Sequence, residues 1–318
     1  MLGRVANTIY WMNRYLERAE NYARFMDVNF NLSLELSPNE EQQWKPLVVI
    51  TGDWPLYDSL HGKVEKTKVI HFMAFEAENP NSIYNCIVNA RENARAIRTE
   101  ITKEVWEQIN ALYYLVKETS KQKRFNNGDV RHFFNDIKNG CQLLYGMYDA
   151  TISRNEGWDF AKLGQFLERA DKTSRVLDVK YHLLLGSAKQ VGSSLDLIQW
   201  TALLKSVSAY DMYRKKYGKL SSSCIAEFLI LDTDFPRSIL SCLISAEKSI
   251  VRLSGSSFGY SNTAQKQLGA LKAQLEYTDI HDIIEKGMHE YLDDIQGKLN
   301  AISSSIYDAF FSIEPHIS

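Results

Sequence analysis

Glycine and proline are scarce. The 318 residues hold 16 Gly and 6 Pro, roughly 7% together against an average near 12%, which argues against a loop-rich all-β fold. Cysteine is equally sparse. The four residues Cys86, Cys141, Cys224 and Cys242 form no CxxC pair and no metal-ligand spacing. A disulfide scaffold does not suit a chain of this size, so four reduced cytosolic thiols are expected. Neither sign of charge dominates. With 37 basic and 39 acidic residues the formal net charge is -2, which excludes nucleic-acid binding by bulk charge. No uncharged apolar run approaches the ~18 residues of a membrane span. The first residues carry Arg4 and Arg14 but no apolar signal-peptide core, so a cytoplasmic protein is expected. Also missing are a GxGxxG string, a Walker A loop and a GxSxG elbow.

What is present has a helical period. From Ile9 the apolar positions Met12, Leu16, Ala19, Ala23, Met26 and Phe30 recur every three or four residues, one stripe of a long amphipathic helix that ends before Pro38. Residues 39–80 are the least regular part, with Pro46, Pro55, Pro80 and a Gly52-Asp53 turn signal, and predict three short helices. Residues 46–50 have strand propensity but no partner strand, so a buried helix turn is preferred. Asn81 or Ser82 caps a helix to about Arg98. Thr102 caps the next to about Lys121, and Asp129 one to about Ser153. A second long helix is expected from Asn155 to Leu185, then a linker-like stretch from Gly186 to Ser194. Further helices are expected near 195–216, 220–231, 235–253, 262–277 and 279–311. Residues 254–257 read as a mobile loop. The fold class is all-α: a multi-helix bundle of roughly ten helices, and one domain over 1–318.

One string occurs twice. Leu16-Glu17-Arg18-Ala19-Glu20-Asn21-Tyr22-Ala23-Arg24 returns 151 residues later as Leu167-Glu168-Arg169-Ala170-Asp171-Lys172-Thr173-Ser174-Arg175. Each copy sets Glu17/Glu168, Glu20/Asp171, Arg24/Arg175 and Asp27/Asp178 along one helical edge beside an apolar stripe. The pattern predicts an internal pseudo-repeat, with copies near 6–36 and 155–185 packed edge to edge. A third string, Arg91-Glu92-Asn93-Ala94-Arg95, places Arg91, Arg95, Arg98 and Thr102 on one face. A charged stripe is ordinarily a solvated face. Two copies in the same order favour a network instead, because the guanidinium fork grips a carboxylate bidentately. Such a network either sets helix register or leaves arginines free to hold a carboxylate ligand.

These strings resemble the alpha-E domain family, named for helices with a Glu-Arg motif. The match is carried by the opening Leu2-Gly3-Arg4-Val5-Ala6, by residues 9–21 with Arg14, Glu17, Arg18, Glu20 and Asn21, and by residues 90–95. Residues 106–110, Phe166-Leu167-Glu168-Arg169-Ala170-Asp171 with Arg175, and Phe235-Pro236-Arg237-Ser238 complete it. Gln165 departs from the Arg expected there by parallel with Arg14. The resemblance implies an all-helical fold and genes beside, or fused to, a circularly permuted ATP-grasp ligase. A transglutaminase-like cysteine peptidase and a proteasome-related peptidase often share that neighbourhood. It therefore implies a cytosolic system that forms peptide-like amide bonds, with a peptide or amino-acid ligand.

Other chemistry is thinner. His281, Glu285 and His289 are spaced by four with Asp282 and Asp293 nearby; a divalent metal fits that spacing, but a solvated helix face fits it better, and neither metal nor cofactor is expected. Cys224 has no nearby His and reads as a packed thiol. Trp11, Tyr15 and Tyr22 beside Arg18 read as packing aromatics. Glu17 and Glu168 are candidate general bases, but no nucleophile accompanies them. The expectation is an accessory or substrate-binding component of the ligase system. An enzyme acting on an activated acyl or peptide intermediate and a purely structural scaffold are the alternatives. In the division expected within the network, Glu168 and Arg175 are structural, while Arg18 and Arg169, further from the apolar stripe, face a ligand cleft.

Overall fold

A computed structural model of the chain describes residues 1–35, 40–121, 127–180, 193–255 and 259–312. Every regular element among them is helical, and none is a strand. They form fifteen α-helices, more than the ten expected: α1 (Gly3–Glu35), α2 (Glu40–Thr51), α3 (Trp54–His61), α4 (Lys66–Ala74), α5 (Ile83–Ala96), α6 (Lys103–Ser120), α7 (Asn127–Thr151) and α8 (Glu156–Val179) come first. Then follow α9 (Ser194–Ser206), α10 (Tyr210–Tyr217), α11 (Ser222–Leu231), α12 (Ile239–Ser254), α13 (Thr263–Glu276), α14 (Ile280–Lys286) and α15 (Met288–Ile306), with a closing π-helical turn at Tyr307–Phe311.

The irregular segment holds three short helices, α2 to α4, and residues 46–50 lie inside α2. Two expected helices are each broken once. The one near 195–216 divides into α9 and α10, with Ser208 at φ 54° near the break. The one near 279–311 divides at Gly287, whose φ of 96° suits a residue without a Cβ. In both places the 3.6-residue period continues across the break, and only Gly287 marks one of them in the sequence. Ser82, Thr102 and Asn155 cap α5, α6 and α8 as their side chains allow. Asp129 sits inside the first turn of α7 instead of capping it, where its charge still favours the helix N-terminus. Residues 181–185 of the second long helix, 186–192 of the linker-like stretch and 256–257 of the expected loop lie outside the described residues.

α1 packs along α8, α5 and α7, and α8 packs in turn along α12. The α1 stripe is fully used: Met12, Leu16, Ala19, Ala23, Met26 and Phe30 are all buried. α8 is buried on nearly every side although it is far from apolar. Lys162, Gln165, Glu168, Arg169, Asp171, Lys172, Thr173 and Ser174 are all buried on it. A helix at that position is normally hydrophobic all round. This one is admissible only if its charges find partners, because an unpaired buried charge is prohibitively costly. Gly164 sets the distance at which they do so. A Cβ on it would lie 2.4 Å from the Tyr10 carbonyl oxygen of α1, so the two backbones touch where α8 has no side chain.

Candidate functional site

The polar edges of α1 and α8 meet. Arg169 donates from Nε to Glu17 Oε1 and from Nη2 to Glu17 Oε2, both at 2.8 Å. Arg18 does the same to Glu168, at 2.7 Å to Oε1 and 3.1 Å to Oε2. The glutamate of each string is therefore held by the arginine of the other. Both glutamates are completely buried, so the bonds are charge-assisted and shielded from water.

Each carboxylate has further partners. Arg14 Nε reaches Glu168 Oε2 at 2.8 Å, and Lys172 Nζ lies 3.4 Å from Oε1. Glu17 accepts from Asn21 at 3.0 Å, Arg237 at 3.3 Å and Gln165 at 3.5 Å. Gln165, the departure from the family pattern, thus still donates to Glu17 while Arg237 supplies the second positive charge. Glu20 is shared by Arg24, at 2.6 Å from Nη2, and Arg237, at 2.7 Å. Asp171 takes Lys172 at 2.9 Å and Arg175 Nε at 2.9 and 3.0 Å. Arg237 is delivered by the turn before α12. Asp232 accepts the Phe235 amide, Ser238 caps the helix by accepting from the Ser241 amide, and Thr173 of α8 donates to the Arg237 carbonyl.

Burial alone pushes a carboxyl group up, yet Arg169 and Arg237 outweigh it and leave Glu17 at about 2. Burial likewise opposes ionisation of Glu168, and Arg18, Lys172 and Arg14 hold it well below its ordinary value. Asp171 is lowered against its own burial by Lys172 and Arg175. Burial and the neighbouring Glu17 and Glu20 push the Tyr145 phenol well up. A carboxylate this acidic, with its oxygens occupied, is a poor proton acceptor at neutral pH. The geometry thus gives Glu17 and Glu168 ion-pair roles in place of the base roles considered from the sequence. It also gives Arg18 and Arg169 no open cleft: both are bidentate partners of buried glutamates.

Two participants, Asp53 and Asn81, had no sequence signal beyond turn or cap chemistry. Arg18 Nη1 donates to Asn81 Oδ1 at 2.5 Å, Asn81 Nδ2 to Asp53 Oδ1 at 2.8 Å, and the Tyr22 hydroxyl to Asp53 Oδ2 at 3.3 Å. Ser208, which carries no sequence signal at all, accepts from Arg24 Nη1. The Arg91 string stays outside the network. Arg91 donates to Asn110 of α6 at 2.8 Å and its guanidinium lies 4.3 Å over the Tyr113 ring. Arg95 pairs with Glu92, Arg98 reaches the Ile101 carbonyl at 3.4 Å, and Asn93 is half-buried on the same helix. Trp11 and Tyr15 carry the guanidinium groups of Arg14 and Arg18 at 5.1 and 5.9 Å.

His281 and Glu285 are exposed on α14, while His289 starts α15 beyond the Gly287 break and meets Asp178 at 2.6 Å. Among the described residues no three His, Cys, Asp or Glu side chains form a metal cluster. Nor is any helix there long and apolar enough to cross a membrane.

Fold and site together define an all-helical protein framed by buried, reciprocally paired Glu-Arg strings on two long helices. The chain belongs to the Alpha-E family, whose model is described as a predicted alpha-helical domain with a conserved ER motif and matches residues 1–311. An uncharacterised protein of Mycobacterium bovis is 19% identical over 325 residues, covering 96% of this chain and 36% of its own. An uncharacterised protein of Mycobacterium tuberculosis matches with the same identity and coverage. The chain thus spans little more than a third of the curated relatives it matches. No solved structure matches it.

Proposed function

We propose that this chain is a non-catalytic accessory or substrate-binding component of a cytoplasmic ATP-grasp ligase system that forms peptide or amide bonds. It works as one helical domain whose duplicated Glu-Arg strings are an internal pseudo-repeat. The observation that carries this reading is the pairing of Glu17 and Glu168, each held by two or more cations. Acyl transfer needs a free base or nucleophile within reach of substrate, and the network offers none. The partnership itself comes from the family resemblance, which points to a circularly permuted ATP-grasp protein and a transglutaminase-like peptidase. The length of the mycobacterial relatives supports a component that acts attached to, or beside, another unit. The test is copurification with the ATP-grasp protein, followed by ATP consumption with and without this chain. A stable complex with altered ATP turnover is expected. ATP turnover that ignores the chain, with no complex, would sink the proposal.

A further inference from the structure

The Glu-Arg network is not charge-balanced. Glu17, Glu20, Glu168 and Asp171 are joined by direct ion pairs to six arginines and Lys172, seven cations to four carboxylates. Counting Asp53, reached through Asn81, still leaves two positive charges in excess. Excess charge of one sign is costly in a buried cluster, where solvent screens it poorly. The cost is relieved wherever the cluster meets a counter-ion.

Arg175 is where it meets the surface. Its side chain is 23% exposed, against 7–14% for the other five arginines. Its Nε alone is engaged, on Asp171. Neither Nη1 nor Nη2 has a partner among the described residues, whereas every other network arginine has at least one terminal nitrogen bonded. The contrast with Arg24, 151 residues earlier, is direct. There Nη1 is closed by the Ser208 hydroxyl, on a residue held in left-handed backbone conformation. Arg175 has no such closure. Its Nη1 stands 3.5 Å from where a Gly52 Cβ would be, over a turn kept free of side chain. Lys172 shares Asp171 with it and adds a second positive charge beside the guanidinium.

We propose that the free edge of Arg175, backed by Lys172, binds a compact oxyanion, a carboxylate or phosphate group, above the Gly52 turn. A planar fork whose two terminal NH2 groups are unpaired suits such a group, and the surplus charge makes it attractive. The inference rests on the ligand-holding half of the proposed function, not on the ligase partnership, so its failure would leave complex formation with the ATP-grasp protein untouched.

Calorimetric titration of the full chain in low-chloride buffer tests it with three probes: N-acetyl-dialanine, its C-terminal amide, and inorganic phosphate. Saturable binding of the acid or of phosphate, and none of the amide, is expected. The tighter of the two anions tells a peptide carboxylate from a phosphate ester. Arg175→Gln should weaken binding about tenfold or more, the size expected for losing hydrogen bonds to a charged group. Lys103→Gln, an exposed site on α6, should not. If Arg175→Gln folds poorly, Arg175→Lys keeps the charge beside Asp171 but loses the fork, and should still bind measurably less tightly. Equal binding of acid and amide, unchanged affinity in the Arg175 variants, or no saturable binding of either anion would overturn the proposal.

Discussion

Glu17 of α1 and Arg169 of α8 hold each other through two hydrogen bonds of 2.8 Å across a gap of 152 residues, and Glu17 has no exposed surface. Removing either member leaves the other charged and buried. Glu17→Gln and Arg169→Met should each cost about 3–5 kcal/mol in urea unfolding. In a double-mutant cycle the two losses should fall well short of adding, because the second substitution removes the stranded charge. Additive losses would mean that the pair is not coupled. Arg95→Met, at an exposed position, should stay within about 1 kcal/mol of the parent protein.

Gly164 makes a sharper steric prediction. Gly164→Ala would place a Cβ 2.4 Å from the Tyr10 carbonyl, forcing α1 and α8 apart where their ion pairs depend on close approach. A loss of about 1–3 kcal/mol or more is expected from the overpacking. Gly146, within α7 and with open space around its Cβ position, is the matched control. Gly146→Ala should stabilise by up to about 1 kcal/mol through helix propensity alone. Chemical denaturation of both variants decides it, and similar effects at the two glycines would refute the close-approach argument.

Acid should unfold the protein through the network. Glu17 is lowered from 4.5 to about 2, and Glu168 and Asp171 are lowered too, in each case against burial. Depressed folded values mean stability that is complete above the unfolded values near 4–4.5 and lost as pH falls through the folded ones. Unfolding free energy should be level near neutrality and drop steeply from about pH 4.5 towards 2. Replacing Glu17 by Gln should flatten part of that slope. At the alkaline end, burial pushes the Cys86 and Cys242 thiols from 9 up to about 12. Raised folded values give stability present below pH 9 and lost as pH rises from there towards 12.

Thiol chemistry follows burial. Cys86, Cys141 and Cys242 are buried, and Cys224 is half-buried. A disulfide reagent reacts with the thiolate and needs access to it. Native protein should therefore react at Cys224 first, and Cys224→Ser should be nearly silent until denatured. Rapid native labelling of Cys86, whose thiol lies beside the Glu168 cluster, would contradict the dry packing described for that cluster.

Much of this was legible in the residues, and the limits are physical. The stripes of Leu16 and Leu167 and the edges of Glu17 and Glu168 followed from a 3.6-residue period, which places side chains on faces with little ambiguity. Arg237 was visible only through its Phe-Pro-Arg-Ser string, since it lies in the turn before α12, where no helical period demands a charge. Asp53, Asn81 and Ser208 could not be placed, because turns decide their direction and a turn's geometry depends on what it packs against. The expected cleft at Arg18 and Arg169 failed for a related reason. Angular distance from a stripe reports exposure only when one side of the helix faces water, and α8 is enclosed by α1, α2, α12 and α15.

The partners of Glu17 also fix an order of events during synthesis. Its first bidentate partner is residue 169 and its second cation is residue 237. Glu20 finds Arg24 at once but waits for the same residue 237 to complete its set. Until residue 237 has left the ribosome, the central carboxylates of α1 cannot be enclosed without stranding a charge. At about 5–20 residues per second that is a delay of on the order of tens of seconds. Throughout it, the carboxylate edge of α1, fully enclosed in the finished protein, has every electrostatic reason to remain wet.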